Sequence, residues 1–135
     1  MITVLVFGTF DLMHPGHMNF LSQAREFGER LVASIARDGF VQRVKGKAPA
    51  QGEQERLKQV LASGLVDEAY LSDEKTGTYS IVERIGPDII CFGHDQDELK
   101  MNLEIWLKER ELETRLYTLK PYKPHRFKTS KMQTS

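Results

Sequence analysis

Ten residues near the N-terminus concentrate the chemistry of this 135-residue chain: Gly8-Thr9-Phe10-Asp11-Leu12-Met13-His14-Pro15-Gly16-His17. Proline is accepted in the first turn of a helix, so Pro15 places His14 and His17 at a helix N-terminus, where unpaired amides favour an anion. Two imidazoles there can donate hydrogen bonds to a phosphoryl group whose charge grows in a transition state. Gly8 is expected to let the chain turn and a ligand approach the backbone. The segment has neither the glycine-rich dinucleotide fingerprint nor the lysine of a P-loop, so those two phosphate sites are excluded. Helix capping and zinc ligation, with His94 or Asp11 completing the set, are alternative uses of the histidines.

Further polar residues fall at the ends of apolar runs. Asp38, Arg43, Lys45 and Lys47 follow the second such run, and flexible lysines beside a polyphosphate can close on its charge and exclude water. Arg56 opens the next helix, as a ligand-binding or an ordinary surface arginine. Phe92-Gly93-His94-Asp95-Gln96 follows the fourth run, with Asp95 as a ligand contact or a helix N-cap. Arg126-Phe127-Lys128-Thr129-Ser130-Lys131 places hydroxyls and charge near the C-terminus.

The elements that must position these residues are legible from apolar periodicity. Ile2–Phe7 and Leu31–Ala36 are unbroken apolar runs, as in strands buried on both faces of a parallel sheet. Glu68–Leu71, Asp88–Phe92 and Thr114–Leu119 complete five strands. Helices are expected over Phe20–Phe27, around Leu57–Leu61, over Ile81–Ile85 and over Leu99–Leu107, whereas Val41–Gly52 reads as a loop. Strands alternating with helices predict an α/β, single-domain, Rossmann-like, doubly wound five-stranded parallel sheet spanning residues 1–135. In such sheets ligands bind beyond the carboxyl ends of the strands, where strand order reverses.

Composition sets outer bounds. Apolar residues make up 40% and charged residues 28%, and 19 basic residues balance 19 acidic ones. That balance argues against nucleic acid as a partner. No apolar run reaches the roughly 18 residues of a membrane span. The first residues lack a basic leader, and Cys91 is the single cysteine. A cytoplasmic location without a disulfide framework is expected. The charge is unevenly distributed: residues 1–50 carry +2, residues 51–119 carry −7 and the last sixteen carry +5.

G-T-F-D-x-x-H-x-G-H resembles the signature of the HxGH-motif nucleotidyltransferases, the cytidylyltransferase-like family. The likeness extends to Val66-Asp67-Glu68, to Phe92–Gln96 and to Lys128–Lys131. It implies transfer of CMP or AMP from CTP or ATP to a small phosphorylated acceptor with release of pyrophosphate. Glycerol-3-phosphate cytidylyltransferase is the main reading. FAD synthetase using ATP and FMN is the alternative, and a catalytically silent nucleotide-binding module or an RNA-binding tail are further ones. The resemblance assigns catalysis to His14, His17 and Lys45. It assigns nucleotide binding to Gly8, Thr9, Phe10, Asp11, Gly16, Lys47, Arg56, Gly93, Asp95, Thr129 and Ser130. It also implies Mg²⁺ carried mainly on the triphosphate, no protein metal site, and a homodimer. Cytidylyltransferases of this type carry a tryptophan after the third strand. Here Ser72–Gly77 has none, and Trp106, the only one, is expected in the core.

Overall fold

The computed structural model describes residues 1–122, so the Thr129 and Ser130 expectations lie outside the described residues. Ten elements alternate along the chain. They are β1 (Thr3–Gly8), α1 (Pro15–Arg25), β2 (Arg30–Ile35), α2 (Asp38–Lys45), α3 (Glu53–Ala62), β3 (Glu68–Leu71), α4 (Ser80–Ile85), β4 (Ile89–Phe92), α5 (Asp97–Glu109) and β5 (Arg115–Thr118). The strands form one sheet in the order β3-β2-β1-β4-β5, and every neighbouring pair is parallel.

β1 is central and has no solvated face. Val4, Leu5 and Val6 are each 0% exposed, and each such burial stabilises the fold by about 1.5–3 kcal/mol. Alternation along the strands divides the core in two. Val4, Val6, Leu31, Ala33 and Cys91 pack with Leu21 and Ala24 of α1 and Val60 of α3. Leu5, Phe7, Val32, Ile90 and Phe92 pack on the other face with α4 and α5, including Trp106. The expected double winding is therefore present, and Trp106 is a core residue whose ring meets Tyr79 edge-on.

One element departs from the sequence reading: residues 38–45 are helical, not loop. Only Val41 of α2 is buried, too little for a periodic signal. The helix is instead held by tertiary capping. Asp38 N donates to Glu53 Oε1 at 2.8 Å, and Glu53 N donates to Asp38 Oδ2 at 3.2 Å. Each acidic side chain thus satisfies the first-turn amide of the other's helix. Gly46 then ends α2 in the left-handed region at φ 78°.

Candidate active site

Strand order reverses between β1 and β4, and the connections leave on opposite faces, opening a crevice at the carboxyl ends. Gln96 spans it. Its Oε1 accepts from Gly93 N at 2.8 Å, and its Nε2 donates to Phe7 O at 2.9 Å. Gln96 thereby satisfies backbone groups where the ladder has opened. It is the N-cap residue of α5, so Asp95 is not the cap. Asp95 is exposed and lines the crevice with Gly93 and His94.

His14 and His17 sit at the start of α1 with rings stacked 3.7 Å apart, centroid to centroid, and inclined by 22°. His14 Nδ1 accepts from Gly16 N at 3.1 Å, and His17 Nδ1 accepts from His14 N at 3.3 Å. The pair therefore does cap the helix, and the cap fixes the chemistry. A nitrogen that accepts an amide carries no proton, so each neutral ring holds its proton on Nε2. Both rings line the cavity with Nε2–H as the remaining donor. The backbone amide of His17 completes this capping box by donating to the His14 side chain. Burial, then His14 and Lys45, push the His17 pKa from its ordinary 6.5 to about 4, while Asp11 pulls the other way.

Two glycines make room for this arrangement. A Cβ at Gly16 would stand 2.9 Å from His14 Cε1, so the imidazole can lie over the helix start only above glycine. A Cβ at Gly8 would fall 2.5 Å from Phe10 Cε2. The expectation that Gly8 serves a turn is corrected: it gives space to Phe10. Phe10 itself is 3% exposed and packs edge-on against His17 at 5.6 Å.

Asp11 serves as a latch. Its carboxylate accepts from Ala50 N at 2.8 Å and Gln51 N at 3.0 Å, and Gln51 Oε1 in return accepts from Leu12 N at 3.0 Å. Partial burial opposes its charge, but the two amides, with Arg56 and Lys45, hold its pKa below the ordinary carboxylate value. The basic segment after α2 is thus tied onto the histidine turn. Lys45, at the end of α2, lines the histidine cavity; Lys47 is exposed and does not.

Arg56 is neither the surface residue nor the open ligand contact that sequence allowed. It is 0% exposed. Its Nε donates to Gln51 O at 3.0 Å, Nη1 to Thr9 O at 2.8 Å, and Nη2 to Ala36 O at 2.9 Å and Asp38 Oδ1 at 2.7 Å. One guanidinium fork thereby joins the loops after β1 and β2 to both α2 and α3. Position 56 lies four residues before the buried Val60, and that helical spacing is the sequence signal for its burial.

Two cavities adjoin at Gly8 and Thr9, the end of β1. One, of about 640 Å³, is lined by His14, His17, Lys45, Asp95, Lys120 and Tyr122. Gln23 pins the Lys120 backbone: its Nε2 donates to Lys120 O at 2.9 Å, and its Oε1 accepts from Lys120 N at 3.1 Å. The other cavity, of about 370 Å³, lies over β2 and β3 on the α4/α5 side and includes Phe40, Val44, Tyr79 and Leu99. Phe40, Ser34 and Lys75 had drawn no role from sequence. Among the described residues no three His, Cys, Asp or Glu side chains converge as metal ligands. No helix among them is long and apolar enough to cross a membrane.

A family model described as cytidylyltransferase-like matches residues 5–134. The FAD synthase of Methanococcoides burtonii is 47% identical over 108 residues, covering 76% of this chain and 73% of that protein. The FAD synthase of Thermococcus onnurineus is 36% identical over 132 residues, covering 97% and 88%. Among solved structures, one titled as the lipopolysaccharide core biosynthesis protein from Thermoplasma volcanium superposes with a TM-score of 0.83 at 31% identity, covering 91% of this chain and 99% of that one.

Proposed function

The chain belongs to the cytidylyltransferase-like family and is a nucleotidyltransferase, and from that premise we propose that it transfers AMP from ATP to FMN, forming FAD and pyrophosphate. The observation that carries this reading is the pair of cavities meeting at Gly8 and Thr9, of which the larger holds His14, His17 and Lys45 and the smaller adds Val44 and Tyr79 beside the shared Phe40 and Leu99. A triphosphate fits the first and a planar ring system the second. The two substrates then meet at the end of β1. The names of the relatives at 36–47% identity support flavin over glycerol 3-phosphate as the acceptor.

In this reading the triphosphate lies over the α1 N-terminus, with the nucleoside toward Gly93, Asp95 and Tyr122. A phosphate oxygen of FMN attacks the α-phosphorus in line. The new P–O bond forms as the bond to the β-phosphate bridging oxygen breaks, and pyrophosphate leaves with that electron pair. The Nε2–H groups of His14 and His17 and the Lys45 ammonium stabilise the charge that builds on the α-phosphoryl oxygens. Holding both substrates in one crevice supplies much of the remaining rate.

Asp95 and Glu98 bring hard oxygen donors to the cavity wall. Those two side chains would hold Mg²⁺ carried in on the triphosphate. When bound, the ion neutralises phosphate charge; the chain's own residues bind, orient and donate as described.

The test is product analysis with ATP or CTP, Mg²⁺, and FMN or glycerol 3-phosphate. FAD and pyrophosphate from ATP and FMN are expected, with His14→Ala and His17→Ala each slowing turnover by about 10²–10³-fold. CMP transfer to glycerol 3-phosphate without FAD formation would restore the cytidylyltransferase reading. Nucleotide binding with no pyrophosphate from any pair would favour the silent module.

A further inference from the structure

Ser34 interrupts the apolar lining of β2. It shares a face with Val32, toward α4 and α5, and is 0% exposed. Its hydroxyl lies 2.5 Å from Ser72 Oγ and has no other partner among the described residues. The two hydroxyls share one hydrogen bond, in which either can donate. With Ser34 as the donor, the Ser72 proton is left unused. Ser72 is half-buried, and both serines line the smaller cavity.

The backbone of Ser72 is fixed as well. Its N–H donates to Ile35 O at 2.8 Å, and its carbonyl accepts from Arg37 Nε at 2.7 Å. The neighbouring carboxylate of Asp73 is already engaged by Thr78 and Ser80. In that arrangement an oriented hydroxyl proton stands at the wall of a cavity whose apolar lining includes Phe40, Val44, Tyr79 and Leu99, with polar side chains such as Lys75 and Asn102 at other points of the wall. A largely apolar slot with a fixed hydroxyl donor fits a flat ring bearing an acceptor atom on its edge.

We propose that Ser72, oriented by the buried Ser34, donates a hydrogen bond to a carbonyl oxygen or ring nitrogen on the edge of the acceptor's ring system. Ser72 is then a specificity-determining contact and Ser34 a positioning residue. The proposal rests on the flavin reading above, in which the isoalloxazine carbonyls supply that acceptor atom and the phosphate points back toward His14 and His17.

Binding without turnover tests it. FMN affinity is read from quenching of flavin fluorescence, and 1-naphthyl phosphate, a flat phosphomonoester with no acceptor on its rings, serves as the control. Ser72→Ala is expected to weaken FMN about tenfold, the usual worth of one good hydrogen bond, and to leave naphthyl phosphate and ATP affinity unchanged. Ser34→Ala is expected to weaken FMN in the wild-type background and to add nothing in the Ser72→Ala background, since its effect passes through Ser72.

Wild-type binding of FMN with no loss in Ser72→Ala overturns this proposal alone. Equal losses for FMN and naphthyl phosphate do the same, assigning the serines to the wall and not to recognition. Equal Ser34→Ala losses in both backgrounds overturn its positioning role. No FMN binding by the wild type overturns the flavin reading and this proposal with it.

Discussion

Replacing Arg56 by methionine keeps the stem of the side chain and deletes the fork. Four hydrogen bonds are lost: three to backbone carbonyls of residues 9, 36 and 51, and one to the Asp38 carboxylate. Removing one partner of a buried charged network costs about 3–5 kcal/mol. Asp38, however, is 44% exposed at its side chain and can rehydrate, so the loss falls toward the lower bound, about 3 kcal/mol. For a chain of this length, about 3–5 °C of melting temperature follows each kcal/mol, so Arg56→Met is expected to melt about 10–15 °C lower. Arg56→Lys keeps a charge for Asp38 without the fork and is expected to fall between. The assay is a thermal melt without ligand, followed by ATP kinetics well below the variant's transition. A drop below about 3 °C would refute the strut, since lost interactions of this type are not that small. A higher KM for ATP at unchanged stability would show that Arg56 reaches the nucleotide after all.

Two further predictions concern the histidine turn. Because the His17 pKa is depressed, the unfolded chain takes this proton first as pH falls; the group's contribution is complete above pH 6.5 and lost as pH falls through about 4. Melting temperature should decline over that window in the wild type and less steeply in His17→Gln; parallel curves would remove His17 as the cause. Asp11→Asn retains one acceptor oxygen where two amides need two. Faster tryptic cleavage after Lys45 or Lys47 and a nucleotide KM higher by roughly tenfold or more are expected, since one charge-assisted hydrogen bond is worth about 1.5–3 kcal/mol. Unchanged cleavage and unchanged KM would mean the latch holds nothing that the nucleotide uses.

The parts of this fold that sequence disclosed are those set by local rules. Ile2–Phe7 had no polar side and so had to be central, and glycine and proline marked the helix that carries the histidines. The parts it concealed depend on residues far apart in the chain. Asp11 looked like a ligand contact because its amide partners lie 39 and 40 residues away. Arg56 looked solvated because charge outweighed its place on the buried stripe of α3. Helix α2 looked like a loop because its start is satisfied by Glu53, which belongs to another helix. Ser34 passed unnoticed, since one serine in an apolar strand reads as a tolerated exception until Ser72 is placed beside it.

The exchange of acids between Asp38 and Glu53 makes the two helix starts one cooperative unit. Neither end can fray alone, because releasing one carboxylate uncaps the helix opposite. Local opening of this region should therefore appear in amide exchange as a single event, with residues 38–56 sharing one protection level. The basic segment strung between the helices would then lack independent hinges, and its motion would be that of a flap hung on two coupled pins.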